Sequence, residues 1–334
     1  MPLPCRPLGR TGQAISAVGF GCGNLAGLLV RGTLQEQVAV IARALELGVT
    51  YFDTAAQYGD GLSEQNLGRV LRELKPEGIL VGTKLQFGTA ELQTGPNRIR
   101  ELFDASLSRL GRESVDILFY HGRIQPGGGQ RALSPEDLLG PMLDVYRGFR
   151  EEGRVRWLGF TGLGDTPSTL QVVASGAFDV FHCYFNAINP SAAFEMPPSF
   201  PQQNLGGLLT SAAEAGMGVF AIRILAAGAL AGHVEKHPLA SRGGGPLIQG
   251  VDYDADAQHG ERLRPLAEEL GITLPELGVR FALGRPEVSC ALVGVSDQAQ
   301  LEEAVRAAEA GPLPPDAVER IVEIARGQPD TMLA

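Results

Sequence analysis

Eight short apolar runs, rich in β-branched and aromatic residues, recur along the 334-residue chain, and their spacing constrains the fold most strongly. Most are continuously apolar rather than alternating in polarity, which is typical of strands covered on both faces, as parallel strands are. The runs span residues 14–21, 48–53, 78–84, 115–120, 155–162, 178–183, 217–224 and 288–294. We therefore predict eight parallel strands.

Segments with helical periodicity separate these runs, and several end in glycine, which favours a left-handed helix cap. They span residues 34–48, 63–74, 97–111, 135–153, 167–176, 205–216, 261–271 and 274–284, and a last one follows at 315–327. This alternation predicts a (β/α)8 TIM barrel with an extra C-terminal helix, and a doubly wound open sheet is the alternative. No linker of biased composition divides the chain, so we predict a single domain over residues 1–334.

Charge and targeting patterns restrict the partners. The 28 Lys and Arg against 38 Asp and Glu give a net charge of -10, a field that repels nucleic acid and anionic membranes. The N-terminus lacks the layout of a signal peptide, and no apolar stretch approaches 18 residues. We therefore predict a cytoplasmic protein whose partner is a small molecule, with neither nucleic acid nor membrane as a partner.

Polar residues stand at or just after the ends of three consecutive predicted strands. Asp53 and Lys84 each end a run, His121 follows the next one, and Tyr58 lies five residues after Asp53. A single polar residue at such a position is usually structural. Because barrel closure brings the C-terminal strand ends together at one face, we expect these four side chains to meet.

Their chemistry suits protonation of a developing alkoxide. A neighbouring ammonium group stabilises a tyrosine phenolate, and Lys84 supplies that charge beside Tyr58. Asp53 is placed to keep Lys84 protonated in a partly dry pocket, and His121 can orient a carbonyl oxygen. Neither a nucleophile paired to a base nor a set of metal ligands accompanies them, so we expect a nicotinamide cofactor to bring the hydride.

Five motifs resemble, in order and spacing, the signatures of the aldo-keto reductases. They are GVTYFDTAAQYGDGLSEQNLG (48–68), VGTK (81–84), VDILFYH (115–121), GRVRWLGFTG (153–162) and VGVSDQAQLEEAV (293–305). The resemblance runs from about residue 6 to residue 310 and is nearest to the bacterial aldose dehydrogenase and oxidoreductase branches. It implies NAD(P)(H)-dependent interconversion of a carbonyl (aldehyde, ketone or sugar) and an alcohol. Asp53, Tyr58, Lys84 and His121 are then catalytic, with Tyr58 as general acid and base.

The resemblance also implies a set of cofactor-binding residues. In chain order they are Gly21, Cys22, Asp53, Thr161, Gly162, His182, Arg223, Leu225, Gly228, Gly294, Val295, Ser296, Asp297, Gln300 and Glu303. Thr161 and Gly162 stand where a Ser-Asn pair usually holds the carboxamide, and His182 stands where a Gln is usual. Arg223 replaces a usual Ser and is interpreted as lying near the cofactor phosphates, with a loop carboxylate as the alternative partner.

The segment after the eighth run bears on the choice of cofactor. NADP-preferring relatives carry Lys or Arg here for the 2'-phosphate, whereas this chain has Asp297, Gln298 and Gln300. A carboxylate repels a phosphate and can accept a hydrogen bond from a ribose hydroxyl. We therefore predict that NAD(H) is preferred and that NADP(H) is possible.

Four other interpretations compete. The segment GFGCGNLAG resembles part of a Rossmann loop, but a helical pattern begins only near Thr33. His233 and His237 have an HxxxH interval without a third ligand, so we predict no metal. A non-catalytic, cofactor-binding regulatory subunit would keep the same fold, and a lyase or isomerase would use Lys84 as a Schiff base.

Overall fold

The protein forms a closed barrel of eight parallel strands in a computed structural model that describes residues 3–231, 237–241, 248, 250 and 253–327. The strands are β1 Val18–Gly21, β2 Tyr51–Asp53, β3 Leu80–Leu85, β4 Val115–Tyr120, β5 Val155–Thr161, β6 Val180–Tyr184, β7 Gly218–Ile222 and β8 Val288–Gly294. Neighbours around the barrel follow one another along the chain, and β8 pairs with β1. The predicted (β/α)8 barrel is confirmed, and the open-sheet alternative is wrong because the sheet has no free edge.

Helices on the outside connect the strands and cover the barrel. The main ones are α1 Leu34–Glu46, α2 Leu62–Leu74, α3 Pro96–Leu110, α4 Leu143–Glu151, α5 Thr166–Ala174, α6 Leu208–Glu214, α7 Leu274–Leu283, α8 Gln298–Glu309 and α9 Pro315–Ala325. Further helical segments, most of them short, are Gly9–Thr11, Leu28–Arg31, Thr89–Gln93, Pro135–Asp137, Leu138–Met142, Ala226–Gly228, Tyr253–Glu261 and Arg264–Glu269. The predicted C-terminal helix is thus present as α9, and it buries Ile321 and Ile324 in the outer core.

Three predicted elements are divided in the structure. The predicted strand 14–21 is split, because Ala14–Ser16 pairs with Cys5–Pro7 in an antiparallel hairpin before β1 begins. The predicted helix 135–153 contains a π-helical turn at Leu138–Met142, where Gly140 departs from helical dihedral angles and Pro141 has no amide hydrogen. The predicted helix 261–271 is replaced by two helices, Tyr253–Glu261 and Arg264–Glu269.

The N-terminal hairpin closes one end of the barrel. Leu8 and Ile15 are fully buried and join the apolar cluster inside the barrel. Leu8 packs so closely on the start of β7 that a side chain at Gly218 would meet it at 2.5 Å. Aromatic rings from Tyr51, Phe119 and Phe220 fill the barrel interior next to Leu8 and Ile15. The opposite end, where the strands finish, is therefore the end left for a site.

No helix among the described residues is both long and apolar enough to cross a bilayer. All four cysteines are free thiols: Cys5 is exposed, and Cys22, Cys183 and Cys290 are buried.

Candidate active site

A buried ion pair joins the C-terminal ends of β2 and β3. Asp53 lies opposite Gly82 in the strand register, and Lys84, two residues further along β3, emerges on the same face. Lys84 Nζ donates to Asp53 Oδ2, to the Thr54 carbonyl oxygen at 2.7 Å and to the Tyr58 hydroxyl at 3.2 Å. The three ammonium hydrogens thus have three acceptors, which fixes the position of the charge.

Because both side chains are buried, each charge of this pair depends on the other. Lys84 is 1% exposed and Asp53 is 4% exposed. Burial alone would lower the pKa of Lys84, but the charge of Asp53 and the Tyr58 oxygen more than offset it, so that the pKa is raised. Burial raises the pKa of Asp53, whereas Lys84 and the hydroxyl of Tyr51, which donates to Asp53 Oδ1 at 3.2 Å, oppose that shift. Lys84 therefore stays charged beside Tyr58.

The turn after β2 places the Tyr58 hydroxyl over the ammonium group. Tyr58 N donates to the Ala55 carbonyl at 3.1 Å, and Ser63 N donates to the Tyr58 carbonyl at 3.2 Å as α2 begins. The Ser63 hydroxyl is 2.8 Å from the Thr54 hydroxyl and donates to the Cys22 carbonyl at 2.8 Å, which ties this turn to the loop after β1. Lys84 Nζ lies 4.6 Å from the centre of the Tyr58 ring.

His121 faces Tyr58 from the end of β4. Its ring lies edge-on to the tyrosine ring, with centroids 6.2 Å apart, and its Nδ1 is 3.0 Å from Thr161 Oγ1 at the end of β5. Burial lowers the pKa of His121 to about 3, and the positive charges of Lys84 and Arg223 add to that effect. The imidazole is therefore neutral at physiological pH.

A second histidine extends this arrangement beneath the site. His182 on β6 lies opposite Thr161 in the strand register, and its Nδ1 is 3.4 Å from Thr161 Oγ1. Its ring stacks on Phe119 at 3.8 Å, and its Nε2 lies 3.4 Å from Asp53 Oδ1 without forming a hydrogen bond to any described residue. Burial lowers the pKa of His182 well below its ordinary value, and Lys84 and His121 contribute to the shift. The Thr161 hydroxyl thus connects His121 to His182, whose other ring nitrogen lies beside Asp53 without a hydrogen bond to it.

A cleft of about 710 Å³ opens above these residues and contains the four predicted catalytic side chains. It extends from them to the beginning of α8. Eleven of the predicted cofactor residues line it: Gly21, Asp53, Thr161, His182, Arg223, Leu225, Gly228, Gly294, Ser296, Gln300 and Glu303. The structure therefore brings together the predicted catalytic set and most of the predicted cofactor set around one elongated space.

The other four predicted cofactor residues do not line the cleft. Cys22 and Val295 are buried in the protein core. Gly162 faces the other way, because a side chain there would meet the Phe181 ring at 2.6 Å. Asp297 caps α8 by accepting a hydrogen bond from Gln300 N at 2.9 Å, and its other oxygen is 3.5 Å from His237 Nε2.

Where α8 begins, side-chain oxygens already accept hydrogen bonds from backbone amide groups. Besides the Asp297 cap, Gln300 Oε1 accepts a hydrogen bond from Ser296 N at 2.8 Å. The Ser296 hydroxyl donates to the Ala26 carbonyl at 2.8 Å, and the Glu303 carboxylate accepts a hydrogen bond from Thr273 at 2.7 Å. The start of α8 is therefore closed by its own side chains and carries the acidic groups of Asp297 and Glu303.

Sequence reasoning missed two sets of residues. Tyr51 and the Thr54 carbonyl hold the Asp53–Lys84 pair, and the position of Tyr51 two residues before Asp53, on the same strand face, was a usable signal. The loop after β1 also lines the cleft, where Arg31 Nε donates to the Leu239 carbonyl at 2.6 Å. No sequence pattern indicated that second contact, because it joins segments more than 200 residues apart.

Residues 3–231, 237–241, 248, 250 and 253–327 contain no group of three His, Cys, Asp or Glu side chains arranged to hold a metal ion. Of the HxxxH pair, His237 lies beside Asp297, and His233 lies outside the described residues.

The buried neutral histidines predict a pH-dependent stability. An unfolded histidine takes up a proton near pH 6.5, whereas folded His182 does not, so its burial destabilises the fold as pH falls below that value. The free energy of unfolding should therefore drop between pH 7 and pH 5, and His182→Gln should reduce that drop by about 2 kcal/mol. Urea unfolding at both pH values measures it.

The glutamine amide can still bond to Thr161. If His182→Gln is less stable than wild type by the same amount at pH 7 and pH 5, the substitution has changed packing alone. An identical fall in wild type and variant would show that His182 is not held neutral.

The chain is similar to several known proteins over most of its length. L-galactose dehydrogenase from Arabidopsis thaliana is 30% identical over 311 residues, covering 91% of this chain and 88% of that protein. Probable aldo-keto reductase 1 from Glycine max is 27% identical, covering 90% of this chain and 83% of that protein. A probable voltage-gated potassium channel subunit beta from Arabidopsis thaliana is 24% identical, with 96% of each chain covered.

A solved aldo-keto reductase from Bacillus halodurans, in its holo form, shares the fold with a TM-score of 0.69 over 96% of both chains, at 22% identity. The family model described as the aldo/keto reductase family matches residues 17–326. Because that match covers nearly the whole barrel, the chain belongs to the aldo-keto reductase family.

Proposed function

We propose that the protein is an NAD(P)(H)-dependent oxidoreductase that interconverts an alcohol and a carbonyl group of an aldehyde, ketone or sugar, with Tyr58 as general acid and base. One observation carries the proposal: a buried, charged Lys84 donates to both the Asp53 carboxylate and the Tyr58 hydroxyl at the floor of a large cleft. Membership of the family supports the oxidoreductase class. The similarity to L-galactose dehydrogenase supports a small hydrophilic substrate.

The residues of the cleft suit a dinucleotide. The space is elongated, and backbone near Gly21, Gly228 and Gly294 lines it without side chains that would narrow it. Apolar side chains from Ile222, Leu225 and other residues provide surfaces for flat rings. The catalytic side chains would contact the nicotinamide end of the bound cofactor, and the α8 turn would contact its adenosine end.

Proton transfer is the part of the reaction that the chain's own residues perform. When bound, the cofactor supplies the hydride in reduction and accepts it in oxidation. In reduction, Tyr58 gives its hydroxyl proton to the substrate oxygen, and Lys84, 3.2 Å away, stabilises the phenolate that is left. Asp53 holds Lys84 charged throughout, and oxidation reverses each proton movement.

If His121 donates a hydrogen bond to the substrate, the donors and acceptors among His121, Thr161 and His182 are determined. For His121 to donate through Nε2 to the substrate oxygen, its Nδ1 must accept from Thr161 Oγ1, 3.0 Å away. The Thr161 oxygen then accepts from His182 Nδ1, so His182 Nε2 carries a lone pair and no hydrogen. His182 Nε2 lies 3.4 Å from Asp53 Oδ1 without a hydrogen bond to it, which agrees with a nitrogen that carries no hydrogen.

Within this proposal, NAD(H) is the preferred cofactor. The α8 turn carries the Asp297 and Glu303 carboxylates, which repel a 2'-phosphate. Arg31, a cation that lines the cleft, is already bonded to the carbonyl oxygens of Leu239 and Asn24. A cytoplasmic location stays a prediction from the sequence.

A non-catalytic subunit is the second candidate function. The match to a probable voltage-gated potassium channel subunit beta over 96% of each chain favours it. The complete Asp53, Tyr58 and Lys84 arrangement favours turnover instead. The Schiff-base alternative needs a neutral Lys84, which the Asp53 carboxylate opposes.

Removal of the Tyr58 hydroxyl tests the catalytic assignment. Tyr58→Phe should lower kcat for reduction of a panel of aldehydes and sugars by about 10³-fold, because the proton donor is lost. The dissociation constants of NADH and NADPH, measured by fluorescence titration, should change less than about threefold, because the ring and Lys84 remain.

Tyr146→Phe removes the same atom from a buried tyrosine outside the cleft, whose hydroxyl bonds to the Phe119 carbonyl, and serves as the control. Retained turnover in Tyr58→Phe removes Tyr58 from the acid role. If the wild-type protein binds cofactor but turns over no substrate, the result supports a non-catalytic subunit instead.

Cofactor preference is tested by comparing the two Michaelis constants. KM for NADPH should exceed KM for NADH by about tenfold, which corresponds to about 1.4 kcal/mol of repulsion at the 2'-phosphate. Gln300→Arg should narrow that ratio by adding a positive charge at the α8 turn. A lower KM for NADPH in the wild-type enzyme would contradict the preference.

A further inference from the structure

Tyr51 lies inside the barrel two residues before Asp53 on β2, so both side chains emerge on the same face of the strand. Its side chain is fully buried and does not line the cleft. The Tyr51 hydroxyl is 3.2 Å from Asp53 Oδ1, and because a carboxylate can only accept, the hydroxyl is the donor. Burial raises the pKa of Tyr51 well above its ordinary value, so the hydroxyl keeps the hydrogen that it donates.

The two oxygens of the Asp53 carboxylate have different partners. Oδ2 accepts from Lys84 Nζ, and Oδ1 accepts from the Tyr51 hydroxyl. A carboxylate this deeply buried needs a donor at each oxygen, because an unpaired buried oxygen costs its full desolvation. Tyr51 thereby leaves Lys84 with a single bond to Asp53. The other two ammonium hydrogens go to the Thr54 carbonyl and the Tyr58 hydroxyl.

Other groups near Asp53 do not replace this donor. His182 Nε2 lies 3.4 Å from Oδ1 without a hydrogen bond to it. The Cys22 and Cys290 thiols interact electrostatically with Asp53, but Cys22 Sγ donates to a backbone carbonyl oxygen at 3.8 Å instead. Among the residues that the structure describes, Tyr51 is therefore the one that donates to Asp53 Oδ1.

Glycine on a neighbouring strand leaves the space that this hydroxyl occupies. Gly82 on β3 lies opposite Asp53 in the register, and a side-chain carbon there would be 2.2 Å from the Tyr51 hydroxyl oxygen. A carbon at Gly19 on β1 would be 3.1 Å from the tyrosine ring. The ring also packs on Phe220, with centroids 4.7 Å apart. Tyr51 is therefore held in one position, with its hydroxyl directed at Asp53.

We propose that Tyr51 is a positioning residue: its hydroxyl holds Asp53 Oδ1, so that Lys84 keeps one hydrogen for the general acid. Without that hydroxyl, Lys84 is the nearest donor left for both carboxylate oxygens, and the ammonium group is drawn toward Asp53 and away from Tyr58. The assignment rests on the proposed function and adds to it a residue outside the cleft. Tyr51 itself exchanges no proton in either direction of the reaction.

Tyr51→Phe removes the hydroxyl and keeps the ring. Its kcat for carbonyl reduction should be about tenfold lower than that of wild type, because a hydrogen bond to a charged group is lost. The dissociation constants of NADH and NADPH should change less than about threefold, because Tyr51 does not line the cleft. Tyr146→Phe removes a buried hydroxyl that bonds to the neutral Phe119 carbonyl, so this matched control should retain wild-type kcat.

A pH titration separates positioning from a loss of packing. A tyrosine gains ultraviolet absorbance when it becomes a phenolate, and the step that Tyr58→Phe removes from the titration belongs to Tyr58. In Tyr51→Phe the midpoint of that step should rise by about one pH unit, because Lys84 is drawn away from the phenolate. The other titratable or charged groups that face Tyr58 are the neutral His121 and Arg223, which the variant leaves unchanged.

The titration needs no turnover, so it can be read separately from the proposed function. Tyr146→Phe should leave the Tyr58 midpoint in place, because its hydroxyl bonds to a carbonyl outside the cleft. A raised midpoint in Tyr51→Phe supports the positioning role even if wild type reduces no carbonyl compound, in which case the proposed function fails alone.

Gly82→Ala displaces the same hydroxyl without deleting it. The added carbon would meet the Tyr51 oxygen at 2.2 Å, so the hydroxyl must move. This variant should also lower kcat and raise the Tyr58 midpoint. Added to Tyr51→Phe, it should lower kcat further by less than about threefold, because the hydroxyl is already absent. Losses that multiply in the double variant would show two independent effects and overturn the inference.

Two results with Tyr51→Phe also overturn the inference while the proposed function stands. If kcat and the Tyr58 midpoint both stay at their wild-type values, Asp53 is oriented without this hydroxyl. If kcat and Tm fall but the midpoint is unchanged, Tyr51 only packs the barrel interior.

Discussion

The buried Lys84–Asp53 ion pair is the interaction on which the site depends. Each charge is almost completely removed from water, so each would be strongly destabilising without the other, by about 3 kcal/mol or more. The barrel meets this requirement because β2 and β3 are neighbours whose register puts both side chains on one face. Thr54 and Tyr58 then take the remaining ammonium hydrogens, so the general acid is held by the same bonds that neutralise the buried charge.

The concentration of positive charge has consequences for the neighbouring groups. Lys84 and Arg223 both oppose protonation of His121, which stays neutral and is free to donate one hydrogen bond. Lys84 also acts on His182, which connects to His121 through the Thr161 hydroxyl. The reacting oxygen would therefore meet a neutral imidazole, a phenol and a fixed ammonium group.

The sequence predicted the barrel and the meeting of the catalytic four because both follow from strand ends, which apolar runs locate well. It did not predict where runs divide: Ala14–Ser16 is as apolar as β1, and only tertiary pairing separates them. The resemblance supplied the cofactor positions, of which Cys22, Gly162 and Val295 turn away from the cleft. Side-chain direction just after a strand depends on the twist of the loop, which residue identity alone does not encode. The path through His182 was missed because it depends on register across β5 and β6.

A double-mutant cycle on the ion pair tests the central claim most directly, with kcat for carbonyl reduction compared among wild type, Asp53→Asn, Lys84→Met and the double variant. If Asp53 acts by keeping Lys84 charged beside Tyr58, each single change should lower kcat by about 10²-fold or more. The double variant should then be no slower than Lys84→Met by more than about threefold, because the two residues act as a unit. Losses that multiply in the double variant would contradict this account.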